Sequence, residues 1–274
     1  MTSAASATPS SPFTPLPVLF VSHGAPTFAT EPGQSGPALR AYGQSLRQRH
    51  AIKGIIIMSP HWMSRGLSIM GHPRPETWHD FGGFPAALYQ LQYPAPGFPE
   101  LASAVQQQLA AHGLDATIDT QRPLDHGAWV PLMHLFPEAD IPVIQVSLPH
   151  GWSPEQVMQV GQALSSLASE GILIIGSGSM THNLSEFFGG QRQPDPYVDA
   201  FSRWVEHALV TRNDTALLEY EWEAPHAKRA HPSDDHFLPL FFAYGASGKQ
   251  SRAHYLTREV MHSMLAMDSV AFEP

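Results

Sequence analysis

The stretch VLFVSHGAPTF, residues 18–28, is an apolar run that stops abruptly on a histidine inside a Gly/Pro-containing turn. Four successive apolar residues are too short a run for a helix and suit a strand covered on both faces. The same design recurs in GIIIMSPHWMS, residues 54–64, which runs from an apolar strand into His61, and in GILIIGSGSMTHNL, residues 171–184, which ends at His182. Working outward, the pattern predicts strands over 17–22, 54–59, 67–71, 115–119, 142–147 and 171–176. Helical periodicity predicts helices over 36–50, 85–91, 99–112, 129–136, 153–169, 195–212, 214–220, 236–246 and 255–267. In the fifth of these, Ser153 is the expected N-cap, with Pro154 at the first helical position. Strands alternating with helices imply an α/β fold. The expected form is a single domain with a central, mostly parallel or mixed sheet and helices on both faces. In such sheets ligands bind beyond the carboxyl ends of the strands, where His23 and His61 fall.

Composition narrows the function. The chain has 274 residues, 43% of them apolar and 14% charged, with a net charge of -9. No Lys/Arg cluster longer than a pair occurs, which argues against a nucleic-acid footprint. There are no cysteines, so disulfides, thiolate zinc sites, iron–sulfur ligation and cysteine nucleophiles are excluded. That fits a cytoplasmic protein. Residues 1–16, rich in Ser, Thr, Pro and Ala, lack the basic start and apolar core of a secretory signal and read as a disordered tail. Residues 17–274 are left as one domain, since no shift in composition divides them. No apolar run approaches the roughly 18 residues of a membrane span, and whether the chain forms a homo-oligomer stays open.

Histidine is the unusual component: 16 of them, against 15 Lys and Arg together. His23, His61 and His182 follow strands, Asp125-His126-Gly127 precedes a helix, and His236 opens an apolar helix. A histidine set without cysteine suits Zn(II) or Fe(II), and three ligands with open positions mark a catalytic site. His231, five residues before His236, is an alternative third ligand. Asp234 and Asp235 are ligand candidates or helix caps. The stretch GSGSM, residues 176–180, matches neither the G-x-S-x-G of a hydrolase nor the G-x-G-x-x-G of a dinucleotide site. The loop 72–98, rich in Pro, Gly and aromatics, is placed to cover a site. Trp62, Trp78, Phe81, Phe84, Tyr89 and Trp129 form either an apolar wall or part of the core. Lys228 and Arg229 either meet a substrate carboxylate or face solvent.

The motifs SHGAP (22–26), SPHW (59–62), YPAPG (93–97), LDHGAW (124–129), GSGSMTHNL (176–184) and HPSDDHFLPL (231–240) occur in one order along the chain. Through them the sequence resembles the class III extradiol ring-cleavage dioxygenases of the LigB superfamily, and within it the 4,5-DOPA dioxygenase extradiol family. The resemblance implies a metal held by His23, His61 and His236. It implies an acid/base role for His182 near the metal, or on it when zinc is loaded, and a substrate-facing role for His126. The implied cofactor is Fe(II), with Zn(II) able to occupy the same site. The implied reactants are a catechol and O2, with no nucleic acid or membrane partner. Trp62, Trp78, Asp125 and Lys228 are the candidate substrate-binding residues. Two other readings remain open at this point: a zinc hydrolase on a related scaffold, and a metal-binding protein without catalysis.

Overall fold

The computed structural model describes residues 15–187 and 194–274. Most of the expected tail, residues 1–14, lies outside them; Leu16 is buried, and its N–H donates to Ala168 O at 3.1 Å. The strands are β1 (Val18–Ser22), β2 (Gly54–Ser64), β3 (Leu67–Met70), β4 (Ala116–Asp119), β5 (Val143–Pro149), β6 (Ile172–Gly178), β7 (Arg252–Thr257), β8 (Val260–Met261), β9 (Leu265–Ala266) and β10 (Ser269–Glu273). The helices are α1 (Ser35–Arg49), α2 (Pro99–Ala111), α3 (His126–Leu135), α4 (Pro154–Leu164), α5 (Leu184–Phe187), α6 (Pro196–Thr211), α7 (Asp214–Leu218), α8 (Tyr220–Glu223), α9 (Ala227–Ala230) and α10 (Leu238–Ala246).

Eight strands form one sheet in the order β4-β3-β5-β2-β6-β1-β10-β7. The central four, β5-β2-β6-β1, are mutually parallel. The flanks make the sheet mixed: β3 is antiparallel to β5, and β10 is antiparallel to both β1 and β7. Alternate residues of the central strands enter two separate cores. Val18, Phe20, Ile56, Ile144 and Ile174 pack with α2, α4, α6 and α10. Leu19, Val21, Ile55, Ile57 and Ile175 pack with α1 and α3. Both faces are thus covered, which is why these strands read as continuous apolar runs.

Three local features place the site. First, β2 runs on past the predicted end through an irregularity. Met58 pairs with Val146 and Met63 with Leu148, so five residue steps in β2 face two in β5. The extra residues bulge out and carry His61, and Pro60 falls where a strand tolerates proline. Second, α3 starts at His126, three residues before the predicted boundary at 129. Third, Ser153 forms a complete capping box with Gln156, starting α4 as expected.

The predicted helix over 255–267 is not formed. That stretch contains the end of β7, β8 and β9, with His262 (φ 49°) and Ser263 (φ 66°) in the left-handed region at the turn. The expected carboxylate N-cap of the 236–246 helix is also absent: Phe237 occupies the cap position of α10. No helix among the described residues is long and apolar enough to cross a membrane.

Candidate metal centre and active site

His23 directly follows β1, and its backbone N–H donates to Gly178 O at 2.9 Å, joining the ends of β1 and β6. Its ring is buried, with Nδ1 3.0 Å from Ser177 Oγ. The Ser177 hydroxyl donates its one proton to Gly127 O. Ser177 therefore accepts from His23 Nδ1–H, which leaves His23 Nε2 bearing a lone pair. His236, just ahead of α10, is fixed in the same sense: its Nδ1–H donates to Asp235 Oδ2 at 2.6 Å. His61 Nε2 lies 3.1 Å from His23 Nε2. One ring nitrogen from each of His23, His61 and His236 lies within 4.8 Å of the other two.

Two glycines make this convergence sterically possible. A Cβ on Gly178 would lie 2.2 Å from His236 O, where β6 touches the segment that carries His236. A Cβ on Gly127 would lie 2.2 Å from Ser59 Oγ and 2.7 Å from His61 Cδ2.

Burial pushes the His23 and His236 imidazolium forms far below their ordinary range, aided at His23 by His61 and at His236 by His182. Burial, together with His126, pushes His61 down to about 4. All three rings are thus neutral near pH 7, the state a metal ligand requires. Burial likewise lowers His182. The His182 ring stacks on His236, with centroids 3.6 Å apart and planes 6° apart, and its backbone N–H donates to Ala230 O at 2.8 Å.

His61, His126, His182 and His236 line one cavity of about 260 Å³, with Phe81, Phe84 and Leu184 among its apolar walls. His23 is buried beside them, its ring centroid 5.1 Å from that of His61 and 5.4 Å from that of His236. The structure therefore brings together five of the six histidines that the sequence singled out, His231 being the exception. It does not bring the four candidate substrate-binding residues to this cavity. Trp62 is buried and Trp78 partly exposed; the Arg122 guanidinium lies over both rings, at 4.8 and 4.9 Å from their centroids. Asp125 is fully buried and accepts from Ser59 Oγ (2.9 Å), Gln145 Nε2 (2.8 Å) and Arg122 Nη2 (3.0 Å). Lys228 lines a separate cavity with Glu221 and Asp234, and its Nζ is 5.5 Å from the Trp222 ring centroid. Arg229 pairs with Glu186 and Asp195 instead of facing the histidines. His231 is also elsewhere, its Nε2–H donating to Met180 O at 2.9 Å between the Phe201 and Phe237 rings.

Asp80, which lines the cavity and binds His126, was not singled out from sequence. Asp235 was read as a ligand or helix cap and Ser177 only as part of GSGSM; instead they orient two of the ring nitrogens. Gln145 did carry a signal, as the polar residue within the buried run of β5, because a buried amide needs partners. Asp80 offered only an acidic residue beside a histidine in an aromatic loop.

The family profile described as the catalytic LigB subunit of aromatic ring-opening dioxygenase matches residues 17–272. The chain is 41% identical over 239 residues to a 4,5-DOPA dioxygenase extradiol of Beta vulgaris, covering 86% of this chain and 89% of that one. It is 33% identical over 238 residues to the 4,5-DOPA dioxygenase extradiol of Escherichia coli strain K12, covering 85% and 86%. A crystal structure of an uncharacterized protein from Escherichia coli K12 is similar with a TM-score of 0.78 at 26% identity, covering 94% of this chain and 99% of that one.

Proposed function

The chain belongs to the LigB family of aromatic ring-opening dioxygenases and is an extradiol dioxygenase; on that premise we propose that His23, His61 and His236 hold a catalytic Fe(II) and that the substrate is a catechol of the DOPA type. The family is metal-dependent, and the donors fit a divalent ion. Two nitrogens each about 2.0–2.1 Å from one ion stand roughly 3 Å apart, and the His23 and His61 Nε2 atoms are 3.1 Å apart. The observation that carries the reading is the convergence of three neutral imidazoles, two of them with their tautomers fixed by Ser177 and Asp235.

Bound there by His23, His61 and His236, Fe(II) would supply a redox-active Lewis acid for O2 chemistry that would lower the pKa of a catechol's hydroxyls. The chain's own residues do the rest. His182, neutral near pH 7, accepts a phenolic proton and returns it to the ring-opened product. His126 hydrogen-bonds the second hydroxyl. Phe81 and Phe84 exclude water from the cavity and pack against the aromatic ring. All three proposed ligands are imidazoles, so no ligand charge offsets that of the metal, unlike a site with two histidines and a carboxylate.

The test is oxygen uptake by metal-stripped protein reloaded anaerobically with Fe(II) or with Zn(II), then mixed with a panel of catechols that includes DOPA. The expected result is uptake and a yellow ring-opened product from the iron form alone, because zinc has no redox chemistry. Bound iron with no uptake on any catechol would overturn the reading. Anaerobic hydrolysis by the zinc form would replace it with a metallohydrolase.

A further inference from the structure

Asp80 lies on the long segment between β3 and α2, and its side chain is 8% exposed. One of its oxygens, Oδ1, accepts two N–H groups of the same residue: the backbone N–H of His126 at 2.9 Å and the His126 ring Nδ1–H at 2.9 Å. The other oxygen stands 3.8 Å from His61 Nδ1, too far for a hydrogen bond.

The backbone contact replaces a missing cap. Asp125 occupies the N-cap position of α3 but makes no side-chain cap, because its carboxylate is turned to Ser59, Gln145 and Arg122. An unsatisfied N–H in the first turn of α3 is therefore taken by a carboxylate from a separate loop, at the helix end that favours negative charge. The ring contact settles a tautomer. A carboxylate accepts and cannot donate, so His126 carries its proton on Nδ1, and Nε2 is the acceptor nitrogen.

We propose that Asp80 is a positioning residue: it holds the His126 ring in the cavity wall in the Nδ1–H tautomer and ties the 71–98 loop to the start of α3. This rests on the extradiol reading above and assigns His126 the role of acceptor toward a substrate hydroxyl. It parallels the carboxylate that orients the histidine of a catalytic triad.

Asp80→Asn and Asp80→Ala separate the possibilities, because an amide oxygen can accept both N–H groups and a methyl accepts neither. Nitrogen-15 histidine spectra of the zinc-loaded proteins report the tautomer, with the His126 signals identified by their loss in His126→Gln. The expected result is an Nδ1–H signature in the wild type and Asp80→Asn, and its loss in Asp80→Ala. In the iron enzymes kcat should fall about 10–100-fold in Asp80→Ala, with KM within about 3-fold of wild type, and Asp80→Asn should restore most of it. Metal content and thermal midpoint identify variants that have kept the fold. Asp80→Leu, which fills the space without an acceptor, replaces the alanine variant if that one does not fold. Retention of the Nδ1–H signature and of kcat in Asp80→Ala would overturn the proposal. So would an Asp80→Asn as slow as Asp80→Ala with its tautomer intact, since charge would then be the cause. A wild-type iron enzyme that opens no catechol would overturn the extradiol reading, while the spectra would still decide the tautomer.

Discussion

A single missing methyl group decides how closely the site can be built. Gly127 is not in a left-handed conformation; it is glycine because Ser59 and His61 occupy the space a Cβ would need. Gly127→Ala is expected to displace the His61 ring and weaken Fe(II) binding about 10–100-fold, as changes that disturb ligand orientation typically do. Chelator competition measures this, with circular dichroism confirming the fold. The histidines could be found from sequence because each follows an apolar run or lies at the start of a helix, positions where a side chain reaches a site. The groups that orient them were not visible in this way. Ser177 reads as one more serine in GSGSM, and it matters only because its proton is committed to Gly127 O. Asp80 is 46 residues from its partner His126, a pairing that no local pattern encodes. Lys228 and Asp125 show the converse: residue type suggested substrate contact, whereas burial and neighbours assign them to other cavities and networks.

Among the elements, the bulge in β2 is the one that a strand pattern cannot supply. It is held from below by Arg122, whose Nη2 donates to His61 O at 3.1 Å and to Asp125 Oδ2 at 3.0 Å. Removing the guanidinium leaves the fully buried Asp125 with only the neutral donors Ser59 and Gln145. Arg122→Ala is expected to lower unfolding stability by about 3–5 kcal/mol. Urea denaturation of the metal-free protein measures this, and Asp125→Asn in the same background should recover part of the loss. The strands of the parallel centre were legible because burial on both faces favours runs of apolar residues. The segment 255–267 was misread because Leu256, Val260, Met264 and Leu265 fall at helical spacing. The turn that breaks it, at His262 and Ser263, contains no glycine or proline to announce it. The pairing of its β7 end with β10 is a tertiary fact, and strand propensity is the more context-dependent kind.

For the whole molecule, α/β architecture and coverage of both sheet faces were legible, whereas the mixed order of the flanks was not, since it depends on which distant strands meet. One buried carboxylate gives the fold a pH dependence of its own. Burial of Asp268 raises its carboxyl to about 7, against an ordinary value of 3.8. Between those values the folded chain keeps a proton that the unfolded chain has released, so this group makes stability fall as pH rises, by roughly 4 kcal/mol in all. Asp268→Asn should therefore match the wild type near pH 4 and exceed it increasingly toward pH 8, as read from unfolding curves across that range. The placing of β10 between β1 and β7 carries a consequence of another kind. The ribosome makes β1 early, yet its outer edge stays unpaired until residues 269–273 have emerged. Ser22 must likewise wait for Asp268, whose backbone oxygen accepts the Ser22 hydroxyl at 2.7 Å. Until then, the strand that leads into His23 presents a row of open N–H and C=O groups, a template for other nascent chains. β10, the last of the described strands in chain order, is thus the one that guards the first against misassembly.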